Sequence, residues 1–192
     1  MDALNLGFGG SCHCEPELIE YLACRRDWTM AVLELGINMI GSEKRFGDEE
    51  FYRLALGAID RFSADRSRSV FVITLFPSPH DFLGASRPAE PWRVILREIV
   101  DSLNRPNIHL IEGKDCLDWP GLTHDLVHPA DSGHAQIGAK IGAAIIATRS
   151  ESLSTLNDWA ASGNGFQISQ KPLQPPQEIQ AHVRSPGKAT IA

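Results

Sequence analysis

The chain has 192 residues, 43% of them hydrophobic and 22% charged, with a formal net charge of −6. This balance suits a globular domain with its own core, and the acidic excess argues against a nucleic-acid partner, whose electrostatic footprint would be basic. The longest apolar runs fall far short of the roughly 20 residues that a membrane helix needs, so no membrane partner is expected either.

Short apolar runs alternate with helical patterns along the first 148 residues. Ala3–Phe8 reads as a strand closed by a glycine turn. Pro16–Cys24 follows as a helix, with proline in its first turn and Leu18, Ile19 and Leu22 on one face. Met30–Leu35 reads as a second strand. Phe51, Leu54, Ala58, Ile59 and Phe62 then keep helical spacing behind the acidic start Asp48-Glu49-Glu50. Val70–Phe76 is a β-branched and aromatic strand stopped by Pro77. Trp92, Ile95, Leu96, Ile99 and Leu103 mark an amphipathic helix, and Ile108–Ile111 a short strand. The last helix opens after Asp131, a plausible N-cap, and carries Ile137, Ile141, Ala144 and Ile145 inward.

The order β-α-β-α-β-α-β-α predicts an α/β domain over residues 1–148, with a parallel sheet and helices on both faces. In such a sheet chemistry gathers at the carboxyl ends of the strands, here the loops Gly7–Glu15, Gly36–Phe46, Pro77–Pro91 and Glu112–Ala130. Residues 149–192 hold Pro172, Pro175, Pro176 and Pro186 among Ser, Gln and Gly, and read as a disordered tail. The first residues lack the basic stretch and apolar core of a signal peptide. Cys12, Cys14, Cys24 and Cys116 are too few for a disulfide scaffold, so the expectation is reduced thiols in a cytoplasmic protein.

Three short blocks in those loops can carry chemistry. Gly7-Phe8-Gly9-Gly10-Ser11 fits neither a dinucleotide fingerprint nor a P-loop, but its backbone N–H groups suit an anion. Asn38, in Gly36-Ile37-Asn38, is by itself usually a turn former, but it can also offer a side-chain amide to a developing oxyanion. In Asp125-Leu126-Val127-His128-Pro129, a carboxylate three residues before a histidine can accept from Nδ1–H and leave Nε2 as a general base. Pro129 keeps His128 out of a helix. By itself each block has a plain structural reading as a turn or a surface ion pair.

Together, and in this order, the blocks resemble the SGNH or GDSL-like family of serine esterases and acylhydrolases over roughly residues 3–146. The resemblance implies a flavodoxin-like three-layer sandwich and hydrolysis of small-molecule esters through a serine acyl-enzyme, with no metal and no organic cofactor. It would make Gly10 and Asn38 the oxyanion donors, His128 the general base and Asp125 its orienting partner. In that family the nucleophilic serine lies in an earlier strand-loop-helix unit, whose strand would sit between 3–8 and 30–35. The resemblance therefore implies a chain truncated at its start, with donors and base but no evident nucleophile. The rival expectation is a catalytically inactive remnant that at most binds ligand. Ser11, Cys12 and Cys14 are the candidates for a stand-in nucleophile, although all three more simply line a turn. A zinc site from His124, His128 and His134 with Cys12-His13-Cys14 is disfavoured, because Pro129 breaks the helix that would align the histidines. Trp92 and Trp119 are expected in the core, and Gly133, Gly138 and Gly142 are expected to let the last helix approach the sheet.

Overall fold

Three strands form the sheet: β1 (Met30–Glu34), β2 (Ser69–Ile73) and β3 (Ile108–Ile111). They run parallel in the order β1-β2-β3, with Val32 opposite Phe71 and Phe71 opposite His109. Among the described residues six helices accompany them: α1 (Pro16–Cys24), α2 (Ile37–Ile40), α3 (Asp48–Phe62), α4 (Glu90–Leu103), α5 (Gly113–Cys116) and α6 (Asp131–Ala161). The computed structural model describes residues 3–42 and 46–161, with side chains as far as Ser150. The chain divides into two units, Met1–Glu151 and Ser152–Ala192, and of the second only the closing turns of α6 are described.

Two successive crossovers that advance the same way across a parallel sheet put their helices on the same face. Accordingly α3 packs against α4, and α1 packs against α3. Alternation along the strands sends Val70, Val72 and Ile108 into the core these helices cover, with Ala31, Leu33 and Leu110 at its margin. From the helices come Phe51, Ala55, Ile59, Trp92, Leu96 and Ile99, all buried. Phe51 and Trp92 stack at 4.0 Å, and the indole N–H donates to Asp48 at 2.7 Å, so Trp92 is a core residue as expected. Phe71 and Ile73 point to the opposite face and are also buried. The architecture is thus a mixed α/β fold with a parallel sheet flanked by helices, consistent with a flavodoxin-like sandwich.

Several local expectations change. Ala3–Phe8 forms no strand, and Leu4, Leu6 and Phe8 are each more than half exposed. Its alternation marks an extended segment, but a strand exists only through pairing, and among the described residues β1 is the edge of the sheet. β2 ends at Ile73 rather than Phe76, because the carbonyls of Leu75 and Phe76 turn to the guanidinium of Arg93. Leu18 is exposed, whereas Ala23 buries the inner face of α1. Asp131 is the first residue of α6 and not its cap, since the Ala130 carbonyl accepts the His134 N–H. Helix α6 also continues through Ala161, into the segment expected as a tail, and residues 162–192 lie outside the described part.

Candidate functional site

The best-formed constellation is the turn carrying Asp125 and His128. Asp125 Oδ2 lies 2.7 Å from His128 Nδ1. Its other oxygen accepts three donors: the Thr123 hydroxyl at 2.6 Å, the Val127 N–H at 2.9 Å and the His128 N–H at 3.0 Å. These bonds, the His128 N–H foremost, hold the Asp125 carboxyl well below the usual carboxylate range. A carboxylate so occupied fixes the imidazole tautomer with Nδ1 protonated and Nε2 as the basic nitrogen. The imidazole is 72% exposed, so that nitrogen is open to a ligand.

The turn is closed on itself and pinned to its neighbours. Thr123 N–H donates to the His128 carbonyl at 2.8 Å, Leu122 bridges Pro129 antiparallel, and Ala130 N–H donates to the Gly121 carbonyl. Leu126 takes a left-handed conformation, φ 59°, to let the carboxylate reach back. Gly121 and Gly133 bring this turn onto the start of α6. A Cβ on Gly133 would sit 2.1 Å from the Gly121 oxygen, so no other residue fits there. Gly133 therefore serves the dyad turn and not the sheet, while a Cβ on Gly138 or Gly142 would meet nothing within 4 Å.

At the ends of β2 and β3 the charged groups and the Thr74 hydroxyl are paired, whereas the buried Ser78 hydroxyl has no partner among the described residues. Thr74 is buried; its hydroxyl accepts the Gly113 N–H at 2.8 Å and donates to Glu112 at 3.0 Å. Arg97 holds Glu112 with two bonds of 2.7 and 2.8 Å. The fully buried Arg93 donates to the Leu75 and Phe76 carbonyls and grips both oxygens of Asp81. Sequence reasoning missed Arg93. The readable signal was an arginine three residues before Leu96, on the apolar stripe of α4.

The glycine block behaves differently. Gly10 and Asn38 are brought together, but they bond to each other, Gly10 N–H donating to Asn38 Oδ1 at 3.2 Å. The Asn38 amide nitrogen donates to the carbonyls of Phe8 and Ser11. Both expected oxyanion donors are thus engaged inside the loop. Cys12 and Cys14 adopt left-handed backbones, φ 59° and 60°, and burial pushes the Cys14 thiol up to about 12, which makes it a poor nucleophile. Nearby, Glu34 Oε1 and His13 Nε2 are buried without hydrogen-bond partners among the described residues, and burial raises the Glu34 carboxyl to about 7. Among the described residues no serine or cysteine side chain hydrogen-bonds to His128, and no group of three His, Cys, Asp or Glu is arranged to hold a metal ion. Trp119 is not in the core; it is 40% exposed and stacks on Phe82.

No family model matches this chain, and no curated protein matches it. Among solved structures it is similar to the salicylyl-acyltransferase SsfX3 from a tetracycline biosynthetic pathway, with a TM-score of 0.57 and 13% identity. The match covers 70% of this chain, and the chain spans only 42% of that structure's length. Likeness at this identity establishes the fold alone. The resemblance to SGNH or GDSL-like hydrolases is thereby overturned: no family match supports it, and the structural likeness is to an acyltransferase. The geometry shows why short blocks misled. The strand before Gly7 is absent from the described sheet, and Gly10 and Asn38 spend their hydrogen bonds on each other.

Proposed function

We propose that this chain acts on small-molecule acyl esters, with His128 as general base and Asp125 as the group that orients it. The observation that carries the reading is the 2.7 Å contact between Asp125 Oδ2 and an exposed His128 whose carboxylate partner is already saturated with donors. In the reaction, His128 Nε2 takes the proton of the attacking water or alcohol as its oxygen bonds to the ester carbonyl. The tetrahedral intermediate then collapses, and the imidazolium returns the proton to the leaving alkoxide. Asp125 stays ionised throughout and stabilises the imidazolium. The likeness to an acyltransferase fold keeps acyl transfer to an alcohol alongside hydrolysis as an outcome of the same chemistry.

An oxyanion needs donors, and in the glycine block Gly10 N–H is the candidate this reading would use. Using it requires exchanging its bond to Asn38 for one to the developing oxyanion. A neutral hydrogen bond contributes about 1 kcal/mol net, whereas an oxyanion donor is worth about 3–4 kcal/mol in the transition state. The exchange is favourable only as charge develops, which is where catalysis needs it.

A second reading, ligand binding without turnover, is favoured by the mutual pairing of Gly10 and Asn38 and by the lack of a hydroxyl bonded to His128 among the described residues. Hydrolysis of a short-chain ester by the purified chain, beside His128→Ala and Asp125→Ala, separates the two. The catalytic reading expects His128→Ala to lower the rate at least 100-fold, the usual scale of general-base catalysis. Asp125→Ala should fall in the same direction. Equal rates in the unaltered chain and His128→Ala would remove the catalytic reading and leave the binding one.

A further inference from the structure

The segment between β3 and α6 and the loop after β2 share one exposed feature, a stacked pair of aromatic rings. Phe82 and Trp119 have ring centroids 5.2 Å apart and planes 17° from parallel. Phe82 is 49% exposed and Leu83 beside it is fully exposed. A paired stack that is still this exposed presents ring surface to solvent, and an aromatic pair favours a further parallel or edge contact from a planar ligand.

Both rings are held by structure that does not depend on them. Phe82 follows the turn Pro79–Asp81, whose carboxylate is gripped by buried Arg93, and its N–H donates to the Pro79 carbonyl at 3.2 Å. Trp119 opens the turn Trp119–Gly121, closed by Leu122 N–H on the Trp119 carbonyl at 3.1 Å. That turn leads directly to Leu122, which bridges Pro129, the neighbour of His128. Chain geometry through the turn and the bridge places the Cα atoms of Trp119 and His128 within about 15 Å of each other. Two long side chains can span that gap to opposite ends of one small ligand.

We propose that Phe82 and Trp119 form a preorganised stacking platform for an aromatic acyl group of the ester on which His128 acts. The proposal rests on the acyl-ester reading of the same site and names the acyl class that site prefers. Leu83 extends the apolar surface beyond the rings. Small aliphatic acyl groups gain nothing from such a platform, because they have no π face to lay on it.

The test measures binding apart from turnover. Ligand-observed saturation-transfer NMR on the full chain, with 2-naphthoate and with acetate as probes, is run beside Trp119→Ala, Trp119→Phe, Phe82→Ala and His128→Ala, each checked for native circular dichroism. We expect 2-naphthoate to bind and acetate to give little transfer. Trp119→Ala and Phe82→Ala should weaken 2-naphthoate about three- to tenfold, the range an aromatic stack commands, and Trp119→Phe should recover most of the loss. His128→Ala is read by its rate of ester hydrolysis, which the acyl-ester reading expects to fall. No transfer to 2-naphthoate, or equal affinity in the unaltered chain and a folded Trp119→Ala, overturns the platform. Binding lost with Trp119, in a chain whose ester hydrolysis is indifferent to His128, overturns the acyl-ester reading and leaves the platform standing.

Discussion

The ends of β2 and β3 and the end of β1 face the same side of the sheet, yet they are built in opposite ways. At β2 and β3 a buried arginine, a buried threonine and a bidentate Arg97–Glu112 pair hold their charged groups in partnered networks, with the Ser78 hydroxyl the exception among the described residues. At β1 a carboxylate oxygen and an imidazole nitrogen are buried without partners among the described residues, two cysteines hold left-handed backbones, and the expected donors are turned upon each other. The first region is ordered by folding itself. The second has hydrogen-bonding capacity that the described residues do not meet.

Breaking the well-paired side should have the largest effect. Arg93→Ala leaves Asp81 and two carbonyls without their donor in a buried setting, and we expect a loss of about 3–5 kcal/mol in urea unfolding. A loss below 1 kcal/mol would mean that water already serves these groups. On the other side the sign reverses. The Glu34 carboxyl is raised from 4.5 to about 7, so the folded chain holds a proton there that the unfolded chain releases. The Glu34 contribution to stability should be constant below about pH 4.5, fall as pH rises through 4.5 to 7, and level off above. Glu34→Gln should flatten that slope and stabilise the chain at pH 8 by up to roughly 3 kcal/mol, measured by unfolding at several pH values. An unchanged slope would show that Glu34 is ionised in the fold.

The smallest effect sharpens the contrast. Asn38→Ala removes the amide that ties Gly10, Phe8 and Ser11, but these groups lie near solvent and can turn to water. We expect a cost of about 1 kcal/mol or less, with faster hydrogen exchange confined to residues 8–11. Exchange that also quickens at residues 121–130 would show that the two regions are mechanically joined.

Much of this was legible in the chain. The helix periodicities of Asp48–Phe62 and Glu90–Leu103 and the strand Ile108–Ile111 are local patterns, and tertiary packing confirmed what they specified. The Asp125–His128 pair was legible for the same reason, since its geometry is set within a few residues and Pro129 enforces a turn. Ala3–Phe8 was not legible, because alternation reports an extended backbone and says nothing about whether a neighbour is there to pair with. Arg93 escaped because its main partners, Leu75, Phe76 and Asp81, come from the loop before α4 and not from its own helix, and Trp119 because sequence does not separate an indole on the surface from Trp92 in the core. Side chains whose roles depend on distant backbone are the ones periodicity cannot assign.

The edge position of β1 among the described residues also bears on how the molecule behaves among its own copies. A rim of backbone N–H and C=O groups invites another extended chain, and exposed Val32 in mid-strand adds apolar attraction to that invitation. No lysine or proline lies within Met30–Glu34 to discourage such a visitor. What restrains it is brevity, because five residues supply few ladder bonds and a misdirected partner gains little before it must let go.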